Sequence, residues 1–163
     1  MKKIFNIAFL IFIFISLNEC TGYKPIFGSS NLKFQIEEYE VEGDRKLGNK
    51  LYAKLHSLSK SSKNEIDVRS LNIFINVNQI KNPTTKDSSG KILEYKIDLT
   101  TKIEIIDSIN NSIVLKKDFN SSLNYKVQSQ YSNTIKLENQ TIEDLINKTY
   151  QEILVDLSKN IIL

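Results

Sequence analysis

The sequence predicts an α+β protein: a two-layer sandwich with two helices packed on one face of a four-stranded mixed β-sheet, in the order β-α-β-β-β-α. Three observations carry this. Apolar residues alternate with polar ones at Leu32-Phe34-Ile36 and over three longer runs between Leu71 and Tyr125, the period of strands with one buried face. Two stripes at helical spacing flank the longer runs, Leu47-Leu51-Leu55-Leu58 before them and Ile142-Leu145-Ile146-Thr149-Ile153-Leu157-Ile161 after them. The second face of the strands is polar, which suits a sheet covered on one side only.

The first strand is followed by Tyr39 and Val41 in the opposite phase, so a bulge or strand end is expected near Glu38. Gly43-Asp44 opens the first helix, with Asp44 as its N-cap, and the cluster from Ser57 to Ser62 closes it. Gly48 within it costs roughly 1 kcal/mol relative to Ala and so marks close packing against the sheet. Leu71, Ile73, Ile75 and Val77 then alternate with Asn72, Asn76 and Asn78. The clearest alternation runs from Leu93 to Ile105. Ile113, Leu115, Phe119, Leu123 and Tyr125 continue it, with Lys117 and Ser121 as exceptions. The link from Asp107 to Asn111 fits an antiparallel hairpin. The link from Lys81 to Lys91, containing Asn82-Pro83 and Ser88-Ser89-Gly90, is expected to be exposed and mobile. The last helix begins at Ser132 or Thr141.

The chain has 163 residues, one domain by length, and composition gives no sign of disorder or repeats. Its net charge is +3; removing residues 1–19, with Lys2, Lys3 and Glu19, leaves 20 basic against 18 acidic residues, or +2. That balance points away from nucleic acid. One His, one Cys and no Trp leave little material for a metal centre, a cofactor site or catalysis, and neither metal nor cofactor is expected. His56 reads as a solvated helix residue. Glu37, Glu38 and Glu40 read as charge protecting an edge strand, better than as catalytic acids.

Met1-Lys2-Lys3 and the apolar run from Ile4 to Leu17 have the form of a secretory signal. The run is shorter than the roughly 18 apolar residues of a spanning helix. It ends at Leu17-Asn18-Glu19-Cys20, so the single cysteine stands at the border with the polar body. This placement resembles a bacterial lipoprotein signal, in which that Cys receives lipid. An uncleaved anchor or a plain secretory cut nearby are the alternatives. The division is therefore 1–19 signal peptide, 20–31 extended tether after the lipidation Cys20, and 32–163 a single α+β domain.

The tether Cys20-Thr-Gly22-Tyr23-Lys24-Pro25-Ile26-Phe27-Gly28 resembles the Cys-Gly-aromatic-x-Pro-hydrophobic-aromatic-Gly start of alphaproteobacterial lipopolysaccharide-assembly lipoproteins, the LptE family. Leu47-Gly48-Asn49-Lys50-Leu51, Asn124-Tyr125 and Ser129-Gln130-Tyr131-Ser132 are similar to further short motifs of that family. The resemblance implies a lipoprotein at the periplasmic face of the cell outer membrane, held by its lipid anchor. It also implies a plug and assembly partner of the large β-barrel LptD and a binder of lipopolysaccharide, with no enzymatic activity. The alternative is another periplasmic, membrane-anchored binding module with an uncleaved N-terminal anchor.

Lipopolysaccharide carries phosphates and acidic sugars, which Lys binds by charge-assisted hydrogen bonds. The candidate ligand residues are Lys81, Lys86 and Lys91 in the long link, Lys116 and Lys117, and Lys126. The polar sheet face, with Asn72, Asn76, Asn78, Lys96, Thr100 and Lys102, is expected to meet the barrel wall and its glycolipid.

Overall fold

The structure is a computed structural model that describes residues 32–61 and 68–161; the signal segment, Cys20 and the tether lie outside the described residues. The elements are β1 (Phe34–Gly43), α1 (Arg45–Ser61), β2 (Arg69–Lys86), β3 (Ile92–Asp107), β4 (Ile113–Lys126) and α2 (Tyr131–Ile161). They follow the predicted order. The strands form one sheet in the order β1-β2-β3-β4, β1 parallel to β2 and the other pairs antiparallel. A parallel pair needs a crossover between its strands, and α1 supplies it.

Parity along the strands decides what is buried. In β2 the odd residues Leu71, Ile73, Ile75 and Val77 are sealed, as are Ile97, Leu99, Thr101, Ile103 and Ile105 in β3. Both helices lie on that face. Leu47, Leu51 and Leu55 of α1 and Leu145, Ile146, Thr149, Ile153 and Leu157 of α2 close the core, each large apolar side chain contributing roughly 1.5–3 kcal/mol. In β1 the pairing slips between Ile36 and Glu38, and Glu37 is the extra residue of the expected bulge. Ile36, Tyr39 and Val41 thereby stand beside Leu71, Ile73 and Ile75, which resolves their opposite phase.

The turn into α1 is closely fitted. Gly43 has φ of 69°, and a Cβ there would run into the Val77 carbonyl oxygen. The next amide, of Asp44, donates to that same oxygen at 2.7 Å, and the Asp44 carboxylate accepts from the Leu47 N–H at 3.1 Å, the N-cap the sequence predicts. Gly48 also does what its position suggests, since a Cβ would collide with Val41 of β1.

Three expectations need correction. The link from Lys81 to Lys91 is no mobile loop: β2 continues to Lys86 and β3 starts at Ile92, so only Asp87 to Lys91 turn. Pro83 can sit in the strand because β1 ends at Gly43, beside Val77. The Val77 carbonyl points to the β1 side and the Ser70 carbonyl to the β3 side; by alternation Pro83 faces the side with no neighbour, where its missing N–H costs no ladder bond. Secondly, of the two starts expected for α2, Ser132 falls one residue from the observed Tyr131, while Thr141 lies buried inside the helix. Thirdly, Leu93, Ile113 and Leu123 keep strand geometry but are exposed: Leu93 stands at the far end of the sheet and Leu123 on its edge strand, while the pairing of β3 with β4 slips after Ile105, so that Ile113 stands beside Ile106 on the open face.

The sheet is long. The chain joins β1 beside Arg69, whose N–H donates to the Lys33 carbonyl at 3.1 Å, and Arg69 ties this end together through Asp107 at 3.1 Å and the Asn160 carbonyl at 3.2 Å. From there the 18 residues of β2 reach roughly 60 Å, at about 3.3 Å per residue, to the Asp87 turn.

Candidate functional site

The six candidate lysines fall into three settings. Lys81 keeps the inward parity of β2, and its ammonium is 2.6 Å from Glu138 of α2. It stands 4.4 Å from the centre of the Tyr95 ring and 5.5 Å from that of Tyr125. Those rings face each other across β3 and β4 with centroids 5.7 Å apart, and the Tyr125 hydroxyl donates to Glu138 at 2.8 Å. Partial burial disfavours the charge on Lys81, but its bonds with Glu138 and Tyr125 outweigh this and raise its pKa above the ordinary lysine value. Burial likewise opposes ionisation of Glu138, and Lys81 and Tyr125 overcome it to hold the carboxyl below its usual range. Lys81 is thus a structural clamp between β2 and α2. It is not a free loop cation.

Lys116 and Lys117 are paired as well. Lys116 meets Glu104 at 2.8 Å on the open face. Lys117 meets Asp156 of α2 at 2.7 Å and lies 5.2 Å from the centre of the Phe119 ring. The Asp156 pKa is depressed by hydrogen bonds from Lys117 and Lys159.

Lys86, Lys91 and Lys126 are exposed, and among the described residues none is in an ion pair. The structure brings them to one end: Lys86 stands beside Ile92 and Lys126 beside Glu94, on strands that flank β3 and are about 10 Å apart. The Asp87 carboxylate fixes the turn between Lys86 and Lys91 by accepting from the Ser89 hydroxyl at 2.6 Å and from the Ser89 and Lys91 amides at 2.9 Å each. Those bonds, that of Ser89 foremost, lower its pKa, and Gly90 completes the turn at φ 85°. Leu93 is 41% exposed at the same end, and Tyr131, the first residue of α2, is 79% exposed. The tip therefore combines cations with apolar surface.

The face opposite the helices is open. Asn78 and Lys102 are exposed, and Asn72, Asn76, Lys96 and Thr100 are half-buried. The side chains knit to one another: Asn76 donates to Glu42 at 3.0 Å, Thr100 to Asn120 at 2.9 Å, and Lys96 pairs with Asp98 at 2.7 Å. His56 is not simply solvated; it is half-buried and stacks on Tyr52, which stacks on Tyr39. Among the described residues no group of three His, Cys, Asp or Glu could hold a metal ion, and no helix is long and apolar enough to cross a membrane.

Sequence reasoning missed the partners Glu138, Tyr95 and Tyr125. A signal existed: Lys81 extends the odd parity of Leu71 to Val77, and Tyr95 and Tyr125 lie on the inward phase of their strands.

No protein-family model matches the chain, and no curated protein matches it. Its fold does match solved structures. Lipoprotein B from Nitrosomonas europaea superposes with a TM-score of 0.58 at 16% identity, covering 82% of this chain and 88% of that one. A minor lipoprotein from Acinetobacter baumannii gives 0.56 at 15% identity, covering 79% and 94%. A chain from Caulobacter crescentus gives 0.56 at 17% identity, covering 76% and 88%. At these identities the likeness is one of fold.

Proposed function

We propose that this chain is an outer-membrane lipoprotein of the LptE type, anchored at the periplasmic face through a diacylated Cys20. In this reading it binds an LptD-type β-barrel as plug and assembly partner and contacts lipopolysaccharide during its transport, working by binding rather than catalysis. The carrying observation is the polarity of the molecule. The chain joins the sheet at the Arg69 end, and the unpaired lysines of the tip stand roughly 60 Å away along β2. A sheet that the chain enters at one end and that carries a cationic, partly apolar tip at the other suits a protein that reaches away from its membrane to an anionic amphiphile. The shared fold with solved lipoproteins and the signal-like N-terminus support the same reading.

The ligand residues are then Lys86, Lys91 and Lys126, and not Lys81, Lys116 or Lys117, whose charges are already matched. Replacing all three with Glu should weaken lipopolysaccharide binding by the full chain by about tenfold or more and flatten its salt dependence, since exposed charge pairs are the ones that salt screens. Unchanged affinity with unchanged salt dependence would refute the tip. Co-purification of the tagged full chain with a large outer-membrane barrel tests the partner. Intact mass of the membrane-extracted protein tests the anchor: two acyl chains are what stable anchoring takes, and the mass of the uncleaved precursor would count against it.

A further inference from the structure

Two rungs of side chains cross the open face where β1, β2 and β3 run side by side. One joins Glu40, Phe74 and Glu104, and the next joins Glu38, Asn72 and Ile106. Between them lies a hollow of about 530 Å³, with the half-buried Phe74 and Ile106 as its floor and carboxylates as its rim. The charge is one-sided, because β1 contains four glutamates and no Lys or Arg. Glu104 is held by Lys116, while Glu38 and Glu40 are exposed and make no ion pair among the described residues. Asn72 adds a sheltered side-chain oxygen without a hydrogen-bond partner.

We propose that this hollow docks an arginine-bearing extended segment of a partner protein, its guanidinium lying over Phe74 and between Glu38 and Glu40. The chemistry of the floor and rim selects that cation. A guanidinium is planar, stacks on an aromatic ring and donates in two directions at once, so it satisfies both carboxylates while covering the ring. An ammonium satisfies carboxylates but does not stack flat. A phosphate or acidic sugar is repelled, and a purely apolar segment would strip water from the glutamates without replacing it. The inference goes beyond the function proposed above, since it depends on neither the barrel nor the glycolipid.

The test is fluorescence anisotropy of the full chain with three labelled nonapeptides that alternate Ser with Arg, Lys or Glu. The Arg peptide should bind, the Lys peptide about fivefold more weakly, and the Glu peptide not at all. The double substitution Glu38→Gln/Glu40→Gln should weaken the Arg peptide by about tenfold. Phe74→Ala, a change at a half-buried site, should erase the preference for Arg over Lys while some binding persists. Equal affinity of parent and double variant would overturn the proposal, as would equal binding of the Arg and Lys peptides. Self-association of the protein that the same two Gln substitutions abolish would overturn it in favour of a second copy.

Discussion

The two ends of the sheet are built differently. From Asn72 to Val77 the sheet has four strands, and both helices cover it. Its interior is aliphatic, with Leu51, Leu55, Leu71, Ile75, Ile103, Ile153 and Leu157 all but sealed. Beyond Val77, β1 has left the sheet and α1 is absent from it, so β2 becomes an edge covered only by the first turns of α2. There the sealed aliphatics of α2 give way to Thr134 and Thr141 with Leu137 half-buried against the core, and helix and sheet are tied by the group Lys81, Glu138, Tyr125 and Tyr95. Where a second helix is missing, aliphatic packing gives way to a charge held over stacked rings. The aliphatic end stabilises by volume filled, and the clamped end by directional contacts that pH and single substitutions can remove.

The largest effects should come from the aliphatic end. Leu51→Ala and Ile153→Ala should each cost about 2–5 kcal/mol in denaturant unfolding, the loss expected for a sealed site that cannot collapse. A cost below about 1 kcal/mol at both would erase the contrast between the two ends.

Glu138→Gln at the clamped end should cost about 1 kcal/mol, because the group is only partly shielded and exposed pairs contribute less. Its signature is in the pH dependence. The folded pKa of Glu138 lies below its ordinary 4.5, so its contribution is present above that value and is lost as pH falls through the lowered pKa. Lys81 is displaced upward from 10.5, so its contribution is complete below that pH and disappears as pH rises past the raised value. Parent stability should decline at both limbs, and the variant should show a flatter acid limb. Identical acid limbs would mean that the clamp is ornamental.

The smallest effect concerns the backbone. By alternation the amides of Gln79 and Lys81 face the side that β1 has left, whereas that of Ile75 faces β1. Hydrogen exchange should be fast at the first two and slow at the third. Protection at Gln79 would show that another strand fills the vacant lane.

Element types and burial parity were legible in the sequence because both follow from local hydropathy period, and the parity of β3 holds from Ile97 to Ile105. The bulge, the Asp44 cap and the packed Gly48 were legible for the same reason: each is local. The length of β2 was hidden by Asn82-Pro83, which reads as a break unless one knows that β1 stops at Gly43. The start of α2 stayed open between Ser132 and Thr141 because its first turns bury Thr134 and Thr141, with Leu137 only half-buried. Which lysines are free was legible only in part: parity turns Lys81 inward, but its partner Glu138 is 57 positions away and Asp156 is 39 from Lys117. Only the register and the course of α2 bring them together.

The extra residue at Glu37 sets the reading frame of the outer strand. Strand faces alternate with period two, so deleting that one residue would turn every position on one side of it over relative to the other. Tyr39 and Val41 would swing to the open face. Glu38, Glu40 and Glu42 would be driven toward the leucines of α1, and the helix would lose the Val41 side chain against which Gly48 is fitted. A single-codon deletion there would act as a local inversion of the protein, exchanging its inside and outside along one strand, whereas Glu37→Ala would leave the frame intact and be mild.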